Sequence, residues 1–292
     1  MQTLCDDDLK PYLDAEQSTS IKAANLFTKE VLDHYLVGET VTGVKLPHGD
    51  PSKFRLRNGE CTILAGVNSS GKSLYAGSIL LGAMEQGEKC LSVSLEMSPK
   101  SQLARMWRQA SLKLQPTIDF GLGFNSWAKD KLYFYDKQGS VGLERLMSVL
   151  RYSVDTYGTR MILVDSLMTI GGIANDDYTK QKQVVCEIAD FCRDWDCHVI
   201  LVAHARKSMS IKDRIDRFSI RGAGELADRV DNVLLMSRTY SDDQDDPDVW
   251  FSISKARHWD MAECDIPLFL HNESLNLTEE GVLPRKLVMD GD

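Results

Sequence analysis

Residues 61–73 read CTILAGVNSSGKS, and this stretch decides the fold. Its first part, Cys61 to Ala65, is a short apolar run of the kind that forms a strand buried on both faces. The second part, Gly66, Val67, Asn68, Ser69, Ser70, Gly71, Lys72 and Ser73, is GxxxxGK[ST]. Gly66 and Gly71 let the backbone curl until consecutive amides around Asn68, Ser69 and Ser70 face one anion. The helix expected from Lys72 to Met84 aims its positive end at the same point. Lys72 then reaches terminal phosphates and Ser73 ligates magnesium. Strand, glycine-rich turn and helix together specify a phosphate-binding loop.

Outward from this loop, short apolar runs alternate with longer amphipathic ones. Strands are expected at Cys90 to Leu95, Met161 to Val164, Val199 to Ala203, Val230 to Met236 and Trp250 to Ser254. Helices are expected at Pro99 to Ala110 behind the cap Ser98, at Gly142 to Tyr157, and at Lys180 to Trp195. That rhythm builds βαβ units around a mostly parallel, twisted sheet with helices on both faces. The last strands are closely spaced, and Leu268 to Leu270 and Leu275 to Leu277 flank a turn at Asn272 to Ser274, so the sheet is expected to end in antiparallel hairpins.

In a parallel sheet the carboxyl ends of all strands meet at one edge, which brings three further residues to the phosphate loop. Asp165 closes an apolar strand and would hold magnesium opposite Ser73. Glu96 closes another and would polarise the water that attacks a γ-phosphorus. His204 ends the fourth strand, either sensing the γ-phosphate or hydrogen-bonded as a structural residue.

These segments resemble one family, the DnaB-type hexameric replicative helicases, especially the helicase half of phage primase-helicases and the mitochondrial replicative helicase. SLEMS (94–98) is similar to the family's catalytic glutamate segment, ILVDSL (162–167) to its magnesium aspartate segment, and VAHARK (202–207) to its sensor strand. His204 stands where bacterial members carry glutamine, which points to the phage-like branch. IRGAGELADRVDNVLLMSR (220–238) looks like the stretch beside the family's DNA channel, and Lys255 and Arg257 in SISKARHW match a Lys-x-Arg pair that reaches the ATP of the adjacent subunit. The resemblance implies a RecA-like P-loop NTPase core, ATP and Mg²⁺ as ligands, and a homo-oligomeric ring, as a hexamer. It also implies 5′ to 3′ movement on single-stranded DNA, with primase and polymerase as partners. By the same resemblance Arg238 packs on the adenine base, opposite Phe269 or His271.

Spacing alone leaves Lys255 and Arg257 as two cations on one side of a strand, either exposed or placed to neutralise a transferring phosphoryl group. The DNA path is expected in residues 206–221, which hold six bases against two acids directly after the sensor strand. There Arg206, Lys207, Lys212, Arg214, Arg217 and Arg221, with Gly222 beside them, would contact phosphates without reading sequence. The alternative for this run is a solvated surface loop. Gly171 and Gly172 begin a second candidate loop, and Phe218 either stacks on a base or anchors its own loop.

Composition restricts the remaining classes. The 292 residues carry a formal charge of −9, yet residues 240–292 hold 13 acids against 4 bases, leaving the rest balanced at 30 against 30, so net charge does not exclude a DNA partner. Seven cysteines without a CxxC pair argue against a zinc ribbon and against a disulfide framework. The acidic opening MQTLCDDDLK lacks a leader's positive charge and no apolar run spans a membrane, so a cytoplasmic protein is expected, in a phage-infected bacterial host.

Residues 1–20 are expected as a flexible acidic arm, 21–55 as a linker helix and loop, 56–278 as the ATPase domain, and 279–292 as a frayed tail. Ile21, Ala24, Phe27, Val31 and Tyr35 give the linker helix an apolar face for its own domain or a neighbouring subunit. With about 55 residues ahead of the motor, no priming domain is expected. The function expected is a ring-forming, ATP-driven DNA helicase. The alternatives are a RecA-like recombinase or strand-annealing ATPase, and a KaiC-like regulatory ATPase whose output is a protein contact.

Overall fold

The computed structural model describes residues 24–29, 31–32, 42–50, 52–171, 178–205, 214–217, 223–239, 243, 245–259, 263–287 and 289. Among them, nine strands form one sheet in the order β3-β2-β4-β5-β1-β6-β7-β8-β9. They are β1 (Cys61–Gly66), β2 (Cys90–Ser94), β3 (Leu132–Phe134), β4 (Met161–Asp165), β5 (His198–His204), β6 (Asn232–Arg238), β7 (Val249–Ala256), β8 (Cys264–His271) and β9 (Asn276–Thr278). The first six in spatial order pair in parallel and the last three antiparallel, as the spacing of apolar runs requires. This is the RecA-like P-loop fold.

The α-helices among the described residues are α1 (Lys72–Glu85), α2 (Pro99–Ser111), α3 (Ile118–Ala128), α4 (Leu143–Tyr157), α5 (Tyr178–Asp194) and α6 (Ala223–Arg229). Alternation along the strands divides the core between two faces. Leu64 packs with Tyr75 and Ile79 of α1, Met106 of α2 and Phe124 of α3. Ile63 and Ala65 pack with Leu146 and Leu150 of α4, Val185 and Ile188 of α5, and Leu226 of α6. Burial of both faces explains why β1, β4 and β5 read as unbroken apolar runs.

Several boundaries differ from the expectation. β6 begins at Asn232 instead of Val230, because Val230 and Asp231 form the turn into it and Asp231 exchanges main-chain hydrogen bonds with Cys61 and Arg257. The unit α3–β3 is additional to the expected elements. Two glycines interrupt the period of IDFGLGFNSWA, and Ile118 and Leu122 are apolar but exposed. Gly121 has a packing role: a Cβ there would lie 2.4 Å from the Trp107 ring, so its absence lets α2 and α3 close on each other.

The packed unit also extends beyond both expected ends. Val44 pairs with Leu56 across an antiparallel bridge, and Val44 and Phe54 are buried in the α1 face. The stretch at 279–292 is not simply frayed: Leu287 is buried and donates its amide to the Ala110 carbonyl at the end of α2. Of the linker helix, Ala24–Phe27 is a 3₁₀ turn and residues 28–29 and 31–32 are helical, with Val31 and Leu32 half exposed. Residues 1–20, Ile21 and Tyr35 lie outside the described residues, as do Gly172 and Phe218. Among the described residues no helix is long and apolar enough to cross a membrane.

Candidate functional site

Register brings the expected residues to one edge. Gly66 at the end of β1 stands beside His204 of β5 and Met236 of β6, and Ser94 of β2 beside Asp165 of β4. The chain from Asn68 to Ser73, with Glu96, Asp165 and His204, lines one cleft of about 720 Å³. Gly66 is fixed by close approach, since a Cβ would lie 2.4 Å from Ser70 Oγ and 2.6 Å from the Met236 carbonyl. Ser69 and Gly71 both take positive φ, 62° and 88°, which turns successive amides inward before α1 begins.

Lys72 Nζ donates to the carbonyls of Gly66 at 2.9 Å and Val67 at 2.7 Å, lying back across its own loop. Burial lowers its pKa to about 8, against the opposing pull of the Asp165 and Glu96 charges. Ser73 Oγ donates to Asp165 Oδ2 at 3.1 Å. Burial, and next the charge of Glu96, raise the Asp165 pKa to about 6, while the Ser73 hydrogen bond and the charges of Lys72 and Arg105 oppose the rise. Glu96 Oε1 accepts from the Ser166 hydroxyl at 2.8 Å and lies 3.6 Å from His204 Nε2.

This donor set fits a nucleotide with a divalent cation. Ser73 and Asp165 offer the oxygen ligands that magnesium prefers. Ser70 Oγ, buried inside the loop with no hydrogen-bond partner, is the sort of group a phosphate oxygen would satisfy.

One cation in the cleft is absent from the sequence reading. Arg105 of α2 lines the same cleft and acts electrostatically on Asp165, with its Nη1 3.0 Å from the Met97 sulfur. A signal for it exists: Gln102, Arg105 and Gln109 form an i, i+3, i+7 polar stripe on a helix that starts beside Glu96. Gln102 and Gln109 turn inward to Ser92 and Ser78. Leu275 and Met168 also line the cleft.

Lys255 and Arg257 are elsewhere. Lys255 pairs in register with Val233 near the start of β6, at the edge opposite the phosphate loop. Its Nζ donates to the carbonyls of Ala227 at 2.7 Å, Val230 at 2.9 Å and Asp228 at 3.3 Å, and burial followed by the charge of Arg257 lowers its pKa. Arg257 is not on the strand as expected but one residue past the end of β7. Arg238, the last residue of β6, is exposed and donates to the Ser69 carbonyl at 3.1 Å, at the phosphate loop's rim. Phe269 and His271 lie on β8, and His271 Nδ1 is 2.8 Å from Ser274 Oγ.

Of the expected DNA contacts, Arg206, Lys207, Lys212, Arg221 and Gly222 lie outside the described residues. Arg214 lies 3.6 Å from the centre of the Trp250 ring and 2.6 Å from Asp265 Oδ2, so its guanidinium ties the chain to β7 and β8. Arg217 is half-buried on the side of Lys255, whose pKa its charge helps to lower. Gly171 takes φ 72° and donates its amide to Val141.

Residues 50–274 match the family model described as "ATPase: KaiC". The chain belongs to the KaiC ATPase family. Among solved structures this KaiC-family ATPase is similar to an isolated ATPase domain, with 20% identity over 89% of this chain and 99% of that chain and a TM-score of 0.71. It is also similar to a protein described in "The Structure Of A DnaB-Like Replicative Helicase And Its Interactions With Primase", with 18% identity over 88% of this chain and 67% of that chain and a TM-score of 0.66. This KaiC-family ATPase thus has the fold that those two proteins share, with the strand–loop–helix phosphate site at its centre.

Proposed function

We propose that this ATPase assembles into a ring, hydrolyses ATP at the contacts between subunits, and uses the energy to move along single-stranded DNA and unwind duplex during replication. The observation that supports this best is the distance between the phosphate loop and the Lys255, Arg257 pair. Five residues of β6 separate the register of Lys255 from the edge where Arg238 meets the loop, about 16 Å at roughly 3.3 Å per residue. The two cations do not serve their own pocket. Head-to-tail assembly is the arrangement that turns them to a neighbour's phosphates, and such an interface closes into a ring.

Within the pocket each residue has a definable task. Lys72 leaves the Gly66 and Val67 carbonyls for the terminal phosphates of ATP, and the loop amides hold the phosphate chain. Magnesium, held by Ser73 and Asp165, would neutralise charge on the phosphate oxygens. Glu96, held by Ser166 and close to His204, accepts the proton of a water as its oxygen bonds to the γ-phosphorus. The bond from the γ-phosphorus to the bridging oxygen breaks as ADP leaves. Lys255 and Arg257 of the next protomer offset the charge that develops, a contribution on the order of 10³ to 10⁵ in rate for such fingers.

DNA phosphates would be met by Arg206, Lys207, Lys212, Arg217 and Arg221, with Arg214 anchoring their segment on Trp250 and Asp265. Arg238 stands where it can flank the base. The DnaB-like protein is described with its interactions with primase, and a primase is a natural partner under this reading. The linker helix, with Val31 and Leu32 exposed, would cover a neighbouring subunit.

The family match over residues 50–274 favours a second reading, a KaiC-like regulatory ATPase that signals through a protein contact. ATP turnover with and without single-stranded oligonucleotide, beside negative-stain imaging with an ATP analogue, separates the two. Rings and DNA-stimulated turnover that weakens steeply with salt are expected. Turnover indifferent to DNA would favour the regulatory reading.

A further inference from the structure

Asp231 is the residue on which the edge opposite the phosphate loop is built. Its side chain is only 4% exposed, an expensive setting for a carboxylate unless both oxygens are engaged. Oδ2 accepts the amide of Cys61 at 3.0 Å, which fixes it to the start of the strand that feeds the phosphate loop. Oδ1 accepts Arg257 Nη1 at 3.1 Å and lies 3.6 Å from His258 Nε2. The Arg257 amide donates to the Asp231 carbonyl at 2.9 Å, and Arg257 Nη2 donates to the Asp228 carbonyl at 2.6 Å. Arg257 is therefore held at its backbone and at two points of its guanidinium while remaining 39% exposed. Of the five donors a guanidinium carries, these contacts leave some for an incoming phosphate. An unclamped arginine would spread over many rotamers and lose that entropy each time it entered a neighbour's site.

We propose that Asp231 is a positioning residue for the interfacial cations, holding Arg257 in the orientation in which it enters the neighbouring protomer's phosphate site. The carboxyl end of α6, whose carbonyls take Lys255, does the same for its companion. Asp231 touches neither nucleotide nor its own pocket, and its effect passes through Arg257. The inference rests on the interfacial role given to Arg257 above.

The test is subunit mixing. Asp231→Asn alone should lower ATP turnover about 10- to 100-fold, the scale on which small misplacements of a catalytic group act. Affinity for an ATP analogue should stay within about twofold, since that pocket is intact. Glu96→Gln protomers lack their own base but present a correctly held Arg257. Mixing them with Asp231→Asn protomers should restore turnover above the sum of the two, and Asp231→Asn should cost nothing further in an Arg257→Ala background.

The control mixes Arg257→Ala with Glu96→Gln. Recovery in the control without recovery for Asp231→Asn would overturn the proposal and leave the interfacial reading standing. Failure of both mixtures would remove the interfacial reading itself, and the proposal with it. Should Asp231→Asn not fold, Asp231→Glu keeps the charge, displaces the guanidinium by one methylene, and carries the same mixing test with the same outcomes.

Discussion

The two ends of the parallel sheet hold their charges in opposite ways. At the phosphate end Lys72 and Asp165 are buried and pushed toward neutrality, to pKa values of about 8 and about 6, and Lys72 leans on carbonyls of its own loop. At the other end Arg257 is paired with the buried carboxylate of Asp231, and Lys255 is gripped by three main-chain carbonyls. The first end holds its charges at a cost, and the second satisfies them. A pocket that binds and a pair of cations that completes it have been built at separate places in one chain, which makes sense when two copies meet.

The largest effect should come from the phosphate end. Lys72→Ala should lower ATP turnover by at least about 10³-fold, because a preorganised charge on the transferring group is lost. The far-UV circular dichroism spectrum should be unchanged, since Lys72 sits on the loop edge of α1. Undiminished turnover would break the comparison by showing that this end is not the reacting one.

Arg105→Ala sharpens it. Because Arg105 faces Asp165 across the cleft wall without burial, its loss should cost about 10-fold in turnover. Steady-state kinetics should show the loss in kcat more than in KM, and an effect confined to KM would make Arg105 a binding residue only.

The pH response should be smaller and two-sided. Asp165 has a folded pKa above its ordinary value, so the cost of its buried charge is absent at low pH and fully present above about 6. Lys72 has a folded pKa below its ordinary value, so its cost is fully present below about 8 and fades above its ordinary pKa. Both are ionised between about 6 and 8, the window in which a magnesium-bound ATP analogue should raise the melting temperature most. Analogue affinity should fall by up to about tenfold per pH unit on either side. A flat profile would mean that neither group meets the ligand.

The same contrast explains what the sequence discloses. The phosphate end is local: eight consecutive residues set loop curvature, lysine and hydroxyl, and parallel topology alone carries Glu96, Asp165 and His204 to it. The opposite end is assembled from residues far apart in the chain, Cys61, Asp228, Asp231, Lys255 and Arg257, and Asp231 reads only as a polar residue before a strand. α3 and β3 are hidden because two glycines and an exposed apolar face break the period, while the contact that justifies Gly121 is with a tryptophan on another helix. Leu287 docks a stretch whose composition says only that it is short and mixed.

The central claim is that each protomer carries an unfinished pocket. Turnover per protomer, measured across a dilution series that spans assembly, tests it most directly. The expected result is a steep fall as subunits separate, reversed when Glu96→Gln protomers, inactive themselves, are added to restore the contacts. Turnover per protomer that stays constant down to the isolated chain would contradict it.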